Sequence, residues 1–329
     1  KFRYESLLCM RSTIAKKNVL MEKFKEQQLE RENNEVLFNE YIERGIDYAL
    51  ALVRERFEDA KNEKDRLPFH NTVHTKEMRL RAMKIASAIH SADRALLPVR
   101  LSRLTEFAAG FHDTAQQWVE NSVPDGNYEK IMRKRLSGDN EKTSTDEAVE
   151  FMERANKESG REIFTDTDKA AVREGIMVTV PGFDPEKKTV IQPSLTPESG
   201  IIARIVALAD LGTAGMDGPR QFLSEGDAIF REENLDILNA LKNPDAETDT
   251  IKQYYRMRML NWTKFQQKFV SGRESLLEKE LAGMNDPAID AVKRLFGAFD
   301  ACYEGVENQV SRREKMSFDE LVADMGYAK

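Results

Sequence analysis

Histidine is scarce in this chain of 329 residues, which has only four: His70, His74, His90 and His112. His70 and His74 are four positions apart, so their side chains can share one face of a helix or its first turn. His112 is followed directly by Asp113 at the end of an apolar stripe. His90 is part of no motif, and we expect it to be a structural or surface residue.

A carboxylate extends this set of potential ligands. Asp210 follows Val206 by four positions and Ile202 by eight, which places it on the apolar face of its predicted helix. An ionised carboxylate is costly to bury unless it is paired or bound to a metal. Three separate helices can therefore each supply a ligand, and imidazole with carboxylate donors suits Fe, Mn, Zn, Co or Mg. A cation of this kind activates water, so the pattern favours hydrolysis.

These residues resemble the H…HD…D signature of the HD-domain metal-dependent phosphohydrolases, an all-helical superfamily that acts on phosphate esters. Within it, the chain is most similar to the cyclic-nucleotide phosphodiesterase catalytic domain. There the first motif is His-Asn-x-x-His, as at residues 70–74, and the last ligand stands in Ala-Asp-Leu, as at residues 209–211. The chain also resembles cyanobacterial or plastid HD-domain proteins. The resemblance covers roughly residues 60–235, or as far as 275.

The resemblance implies a site for a divalent cation with four ligands, His74, His112, Asp113 and Asp210. One ion is implied, or two if Asp113 bridges them. It gives His70 the role of protonating the leaving oxygen, which imidazole fills well because its pKa lies near the working pH. The implied substrate is a phosphorylated small molecule, a nucleotide or cyclic nucleotide, attacked in line by metal-activated hydroxide.

One position departs from the phosphodiesterase pattern. Those enzymes have a further His three residues after the Asp of the pair, where this chain has Gln116. An amide organises a second metal ion poorly, so a mononuclear site is the alternative, with Gln116 as a candidate substrate contact. Farther on, Gln266 and Phe269 resemble the Gln-x-x-Phe pair that clamps a purine in the phosphodiesterases. The alternative there is an amphipathic helix that buries Phe269.

Two other features could serve the same chemistry. Glu141 could act as a catalytic carboxylate that orients the attacking water, or it could be an ordinary loop acid. A basic cluster, predicted to lie on one helix, could neutralise a phosphate or could form a solvated face. Its members are Lys130, Arg133, Lys134 and Arg135, and Arg133 is the predicted substrate contact.

Helical periodicity dominates the elements that must position these residues. Signals for the beginning of a helix occur at Asn71, Ser144, Thr165 and Thr196. Strand-like alternation is nearly absent, although residues 121–128 contain a turn signal and residues 178–195 could form a lid or a small hairpin. The sequence therefore predicts an all-α protein with three parts: an N-terminal helical extension over 1–58, an HD-domain metal-binding core over 59–235 and a C-terminal helical region over 236–329.

Composition excludes several classes of protein. The 50 Lys and Arg against 57 Asp and Glu give a net charge of −7, which argues against a dedicated nucleic-acid binder. Only two cysteines occur, Cys9 and Cys302, so neither a disulfide framework nor a cysteine-ligated zinc site is expected. Charges interrupt every apolar stretch before 18 residues, so no membrane span is expected.

The first 20 residues carry five basic side chains and one acid, Glu5. This composition resembles the remnant of an organelle-targeting segment, and a basic first helix is the alternative. The expected location is the cytoplasm, or the plastid stroma if the segment is a processed remnant.

The sequence thus supports two hypotheses of different kinds. The first is a metal-dependent phosphohydrolase, favoured by His70 and a complete set of ligands. The second is a regulatory or scaffolding protein that keeps the HD fold, binds metal or nucleotide, and docks a protein partner through its charged N-terminal helix. Gln116 and the long flanks, residues 1–55 and 280–329, favour this second hypothesis.

Overall fold

The computed structural model describes residue 28 and residues 33–125, 128–242 and 248–327. Residues 1–27 and 29–32 lie outside the described residues. They include Cys9 and most of the charged segment expected to dock a partner. The boundaries predicted at 58/59 and 235/236 stay predictions.

The described residues form mainly α-helices, which confirms the all-α class. The first five helices are α1 over residues 33–53, extended by the π-helical turn Arg54–Glu58, then α2 (Thr72–Ala92), α3 (Val99–Phe111), α4 (Asp139–Ser159) and α5 (Asp166–Met177). The next four are α6 (Ile201–Asp210), α7 (Thr213–Met216), α8 (Pro219–Glu233) and α9 (Leu235–Leu241). The last four are α10 (Asp249–Leu281), α11 (Asp286–Lys293), α12 (Phe299–Arg313) and α13 (Phe318–Asp324).

Two small antiparallel hairpins interrupt the helices. Strands β1 (Trp118–Asp125) and β2 (Tyr128–Arg135) form the first, and β3 (Gly182–Asp184) and β4 (Thr189–Ile191) form the second. The second hairpin lies within residues 178–195, for which the sequence predicted either a lid or a small hairpin. The first corrects the helix predicted for the basic cluster, which lies in β2. Its pairing places Glu120 opposite Arg133, and such cross-strand neighbours decide strand formation more than single-residue preference does.

Two predicted helix starts are confirmed. The Asn71 side chain accepts hydrogen bonds from the backbone of Val73 at 2.8 Å and of His74 at 3.1 Å. Thr165 caps α5, with Asp168 completing the reciprocal capping box. Capping of this kind satisfies backbone N–H groups that have no partner inside the helix.

Two other predicted starts are wrong. Helix α4 begins earlier than Ser144, because Glu141 accepts from the backbone N–H of Gly138 at 2.5 Å and completes the first turn there. Ser144 instead lies inside the helix and accepts from the backbone of Ala115. Helix α6 begins only at Ile201, because Thr196 enters a turn in which its N–H donates to the Ser199 hydroxyl at 3.0 Å.

Helices α2, α3, α5 and α6 pack against one another and form the centre of the main apolar core. Helix α1 approaches closely enough that a Cβ at Gly45 would overlap the Phe107 ring. Leu104, Phe107 and Phe111 of α3 are fully buried, and each such side chain contributes about 1.5–3 kcal/mol. The end of α3 is therefore held firmly in place. Among the described residues, no helix is both long and apolar enough to cross a membrane.

Candidate metal centre

Helix α2 presents His74 in its first turn. The Asn71 cap fixes the start of the helix one turn before it, and the His74 side chain is buried. Neither ring nitrogen of His74 has a hydrogen-bond partner among the described residues. Buried polar atoms nearly always have partners, so these nitrogens indicate a ligand.

The His112-Asp113 pair lies where the apolar helix α3 ends. His112 Nδ1 is 2.9 Å from the Ala109 carbonyl oxygen, which can only accept, so Nδ1 carries the hydrogen. The other ring nitrogen, Nε2, therefore faces the site, the orientation that a metal ligand needs. Asp113 is held from outside by Gln116, whose Nε2 donates to Asp113 Oδ1 at 2.7 Å.

Asp210 is the last residue of α6 and is half-buried. Its Oδ2 accepts a hydrogen bond from Gln192 Nε2 at 2.9 Å. The fully buried Arg81 donates to the carbonyl of Ala209 at 2.8 Å and so holds the end of this helix. One Asp210 oxygen, Oδ1, remains directed towards His112 Nε2, 3.7 Å away.

The four predicted ligands are brought together by α2, α3 and α6. One donor atom each from His74, His112 and Asp210 lie within 4.8 Å of one another. Asp113 Oδ2 lies 3.0 Å from His112 Nε2 and 3.4 Å from His74 Nε2. Bonds of about 2.0–2.2 Å put the donors of one ion at most about 4.4 Å apart, so small side-chain movements would suffice.

Electrostatics at the cluster also suit a cation. Burial lowers the pKa of His74, so its imidazole is neutral at pH 7. Burial opposes the charge on His112, but the carboxylates of Asp113 and Asp210 outweigh it and raise its pKa to about 9. Burial likewise opposes the charge on Asp113, but His112 and His70 hold its pKa well below the usual range. Without a cation, a proton on His112 therefore offsets part of the negative charge of Asp113 and Asp210.

The donor set fits a divalent cation. His112 Nε2, like the nitrogens of His74, has no hydrogen-bond partner among the described residues, although Asp113 lies close by. Two imidazoles and two carboxylates are the ligands of borderline and fairly hard cations. These residues could hold one metal ion.

His70 stands beside this cluster with a carboxylate behind it. Its Nδ1 contacts Glu232 Oε1 at short range, and Glu232 Oε2 accepts from the backbone N–H groups of Phe69 at 3.0 Å and His70 at 3.1 Å. Burial opposes the charge on Glu232, but His70 and these N–H groups lower its pKa. The ionised carboxylate keeps the hydrogen on Nδ1 and leaves Nε2 towards the cluster, 3.9 Å from Asp113 Oδ2.

The cluster opens into a cavity of about 390 Å³. His70, Asp113 and Asp210 line it, together with Arg135 of β2. Much of the remaining wall is aromatic and comes from Phe69, Phe183, Phe222, Trp262, Phe265 and Phe269. The cavity therefore combines charged groups with apolar surface, as sites for small molecules do.

The weaker predicted contacts divide into two groups. Gln266 and Phe269 both line the cavity, and Phe269 stacks on Phe222 with ring centroids 5.9 Å apart. Gln116 and Arg133 line a different cleft. Glu141 is buried, caps α4 and lies 3.3 Å from Arg135, so it reaches the cluster only through that arginine.

His90 lies outside the cluster, as expected. Its Nδ1 is 2.8 Å from the Leu97 carbonyl oxygen, a bond that ties the end of α2 to the start of α3.

Sequence reasoning missed Glu232, Gln192 and Glu233. Glu233 lines the cavity, and its burial and the charge of Glu232 raise its pKa to about 7. The only signal for Glu232 in the sequence was its position as an acid inside a predicted amphipathic helix. Acids are common on solvated helices, and this position does not indicate which residue Glu232 contacts. Arg135 was noticed in the basic cluster, but Arg133 was preferred over it.

Models of known protein families, curated protein sequences and solved structures give no match to this chain. The HD-domain resemblance therefore stays a prediction that rests on the residues themselves.

Metal affinity is expected to depend on pH through His112. A metal ion binds neutral imidazole, so below pH 9 binding must displace the His112 proton. The pKa values of His74 and Asp113 are lowered, so neither competes near neutral pH. The apparent association constant for Mn²⁺ should rise about tenfold per pH unit from pH 6 and level off near pH 9, as measured by titration calorimetry. An affinity independent of pH would contradict His112 as a ligand.

Proposed function

We propose that this protein is a metal-dependent phosphohydrolase that cleaves a phosphate ester of a nucleotide or cyclic nucleotide. The observation that carries the proposal is the convergence of His74, His112, Asp113 and Asp210 from three helices, beside a cavity that Asp113 and Asp210 line. The cation would be Fe, Mn, Zn, Co or Mg, and one ion fits better than two.

The second oxygen of Asp113 explains the preference for one ion. Its Oδ1 accepts from Gln116 at 2.7 Å and lies 3.4 Å from Arg135 Nη2. A carboxylate that bridges two ions with one oxygen on each needs both oxygens free for metal. Asp113 therefore offers Oδ2 alone, which supports a mononuclear site.

When bound, a divalent cation at this site lowers the pKa of water and offsets charge on phosphoryl oxygens. When both ring nitrogens of His70 carry a hydrogen, Nε2 can donate its proton to the departing ester oxygen, and Glu232 then holds the hydrogen that stays on Nδ1. Arg135 lies in the same wall and can donate to a phosphoryl oxygen in a forked geometry. The roles of acid and anion contact thus fall on different side chains of one cavity.

The charges of the cavity explain why a cation is needed. Asp113, Asp210, Glu225 and Glu233 line it, and Arg135 is the only arginine or lysine among the lining residues in the described part of the chain. A phosphate entering without a cation would meet a predominantly acidic wall. The protein's net charge of −7 would add to that repulsion.

The aromatic lining of the cavity supports a substrate with a planar group. Phe269 and Phe222 stack there, and Trp262 stacks on Phe265 with centroids 6.0 Å apart. Gln266 adds an amide that could read a base edge. A nucleobase matches this combination of aromatic faces and one amide.

The experiment is a hydrolysis assay with a panel of phosphomonoesters, phosphodiesters and nucleotides, each with Mg²⁺, Mn²⁺, Fe²⁺, Co²⁺ and Zn²⁺. Bound metal is measured by elemental analysis in the same preparations. We expect turnover by the wild type, and loss of metal and turnover in the double variant His112→Ala with Asp113→Ala. Wild type that neither binds metal nor turns over any substrate would disprove the proposal. Turnover unchanged in the double variant would disprove the assignment of the site.

The second candidate is a regulatory HD-fold protein that binds metal or nucleotide without turnover. The bond from Gln116 to Asp113 favours it, because an amide replaces the His of the phosphodiesterases. Docking would involve the N-terminal segment, which lies mostly outside the described residues. Wild type that binds metal and nucleotide but hydrolyses nothing in the panel would favour this candidate.

A further inference from the structure

A second cleft, separate from the cavity of the metal cluster, contains a buried arginine. The cleft has a volume of about 390 Å³, and its walls come from the end of α1, the segment that follows it, and the start of the first hairpin. Arg133 lines it and is only 7% exposed. Arginine is rarely buried to this extent without a paired anion, because removing its charge from water is costly.

Three cationic side chains line this cleft, and two of them have partners. Arg56 Nη2 lies 2.8 Å from Glu147, and Lys64 Nζ lies 3.6 Å from Glu120. Arg133 has no hydrogen bond or ion pair with any of the residues that the structure describes. Among the described residues that line the cleft, its guanidinium is therefore the one cationic group without a direct bond.

The nearby carboxylates do not satisfy Arg133. Its burial lowers its pKa more than the charges of Glu232, Asp65 and Glu120 raise it. Glu232 is engaged with His70, Glu120 with a lysine, and Asp65 accepts from a neighbouring amide at 3.0 Å. Asp65 and Glu120 also line the cleft, so a ligand must bind closely to the guanidinium and avoid both acids.

A second donor in the same wall lacks an acceptor. The indole Nε1 of Trp118 is buried and has no hydrogen-bond partner within the described ranges. Donors without acceptors among the lining residues of one cleft favour an anion, which can accept hydrogen bonds. A forked guanidinium matches the paired oxygens of a phosphate or carboxylate.

We propose that this cleft binds a small-molecule oxyanion, a phosphate or carboxylate group, with Arg133 as its main ligand and Trp118 as a second donor. The site does not depend on the phosphohydrolase activity, because it lies outside the metal cavity. It gives Arg133 an anion-binding role at a place other than the one predicted from the sequence.

The test uses the full-length chain freed of metal with a chelator. Inorganic phosphate and acetate are titrated separately by calorimetry, so that the two kinds of oxyanion are distinguished. We expect at least one to bind wild type, and its affinity to fall at least tenfold in Arg133→Met. The matched control is Arg94→Met, which removes an exposed arginine between α2 and α3. Arg135→Met removes the arginine of the metal cavity, and binding should persist in it.

The same variants distinguish an anion site from a structural arginine. Removal of a buried unpaired charge should leave the urea midpoint of Arg133→Met unchanged or raise it. Arg133→Lys keeps the charge but loses the fork, so it should fold and bind more weakly than wild type. Any one of four results would overturn the proposal. They are no binding of either anion by the wild type, equal binding by Arg133→Met, loss of binding in Arg135→Met, and a clearly lower urea midpoint for Arg133→Met.

Discussion

Replacement of His70 by Ala is expected to lower kcat by about 100- to 10,000-fold while bound metal stays at the wild-type level. The reason is the position of His70 outside the ligand set, with Nδ1 held by Glu232 and Nε2 facing the cluster. In the proposed mechanism, removal of the imidazole takes away the proton for the leaving oxygen but no metal ligand. Turnover of the best substrate from the panel and elemental analysis together measure the effect. Loss of metal in His70→Ala would show that His70 is a ligand instead.

The matched control for this variant is His90→Ala, which removes a histidine from the same helix as His74. His90 lies 16 residues farther along α2, about 24 Å at 1.5 Å per residue. We expect it to keep both metal and turnover. A companion variant, Glu232→Gln, keeps the size of the side chain but removes the charge that orients His70. It should lose less kcat than His70→Ala and shift the pH profile, whereas an unchanged profile would contradict a positioning role for Glu232.

Replacement of Asp210 by Asn should lower the affinity for divalent metal at least about 100-fold and remove turnover at limiting metal. Loss of residues that only support the ligands lowers metal affinity about 10- to 100-fold. Loss of a charged ligand should therefore lower the affinity by at least the upper value of that range. The amide cannot substitute for the carboxylate. Its NH₂ group must face either the Gln192 donor at one oxygen position or the cation at the other.

Equilibrium dialysis with Mn²⁺ measures this loss directly. The control is Asp300→Asn, an exposed aspartate at the start of α12, which should bind Mn²⁺ as the wild type does. High Mn²⁺ should restore part of the turnover of Asp210→Asn, because the other ligands remain. Wild-type affinity in Asp210→Asn would remove Asp210 from the site and leave the H…HD…D interpretation without its last ligand.

The sequence by itself predicted the all-α class and the types of ligand. Periodicity predicts helices well here because α2, α3 and α6 each bury a continuous face, and local capping at Asn71 is decided within a few residues. The order of His74, His112 and Asp210 along the chain was enough to suggest one metal site. Histidine is scarce in this chain, which has only four, and this made the pattern specific.

Only the tertiary structure decided which side chains support that pattern. Glu232 lies 162 positions after His70, and no local rule relates the two, because their contact depends on how α8 packs beside the entry to α2. The hairpin of β1 and β2 was missed for a similar reason, since strand formation depends on cross-strand neighbours. That hairpin places Arg135 in the cavity that Asp113 and Asp210 line and Arg133 in the second cleft, although the two residues are only two positions apart. Sequence thus determined which chemical groups are present, and packing between distant elements determined what each of them faces.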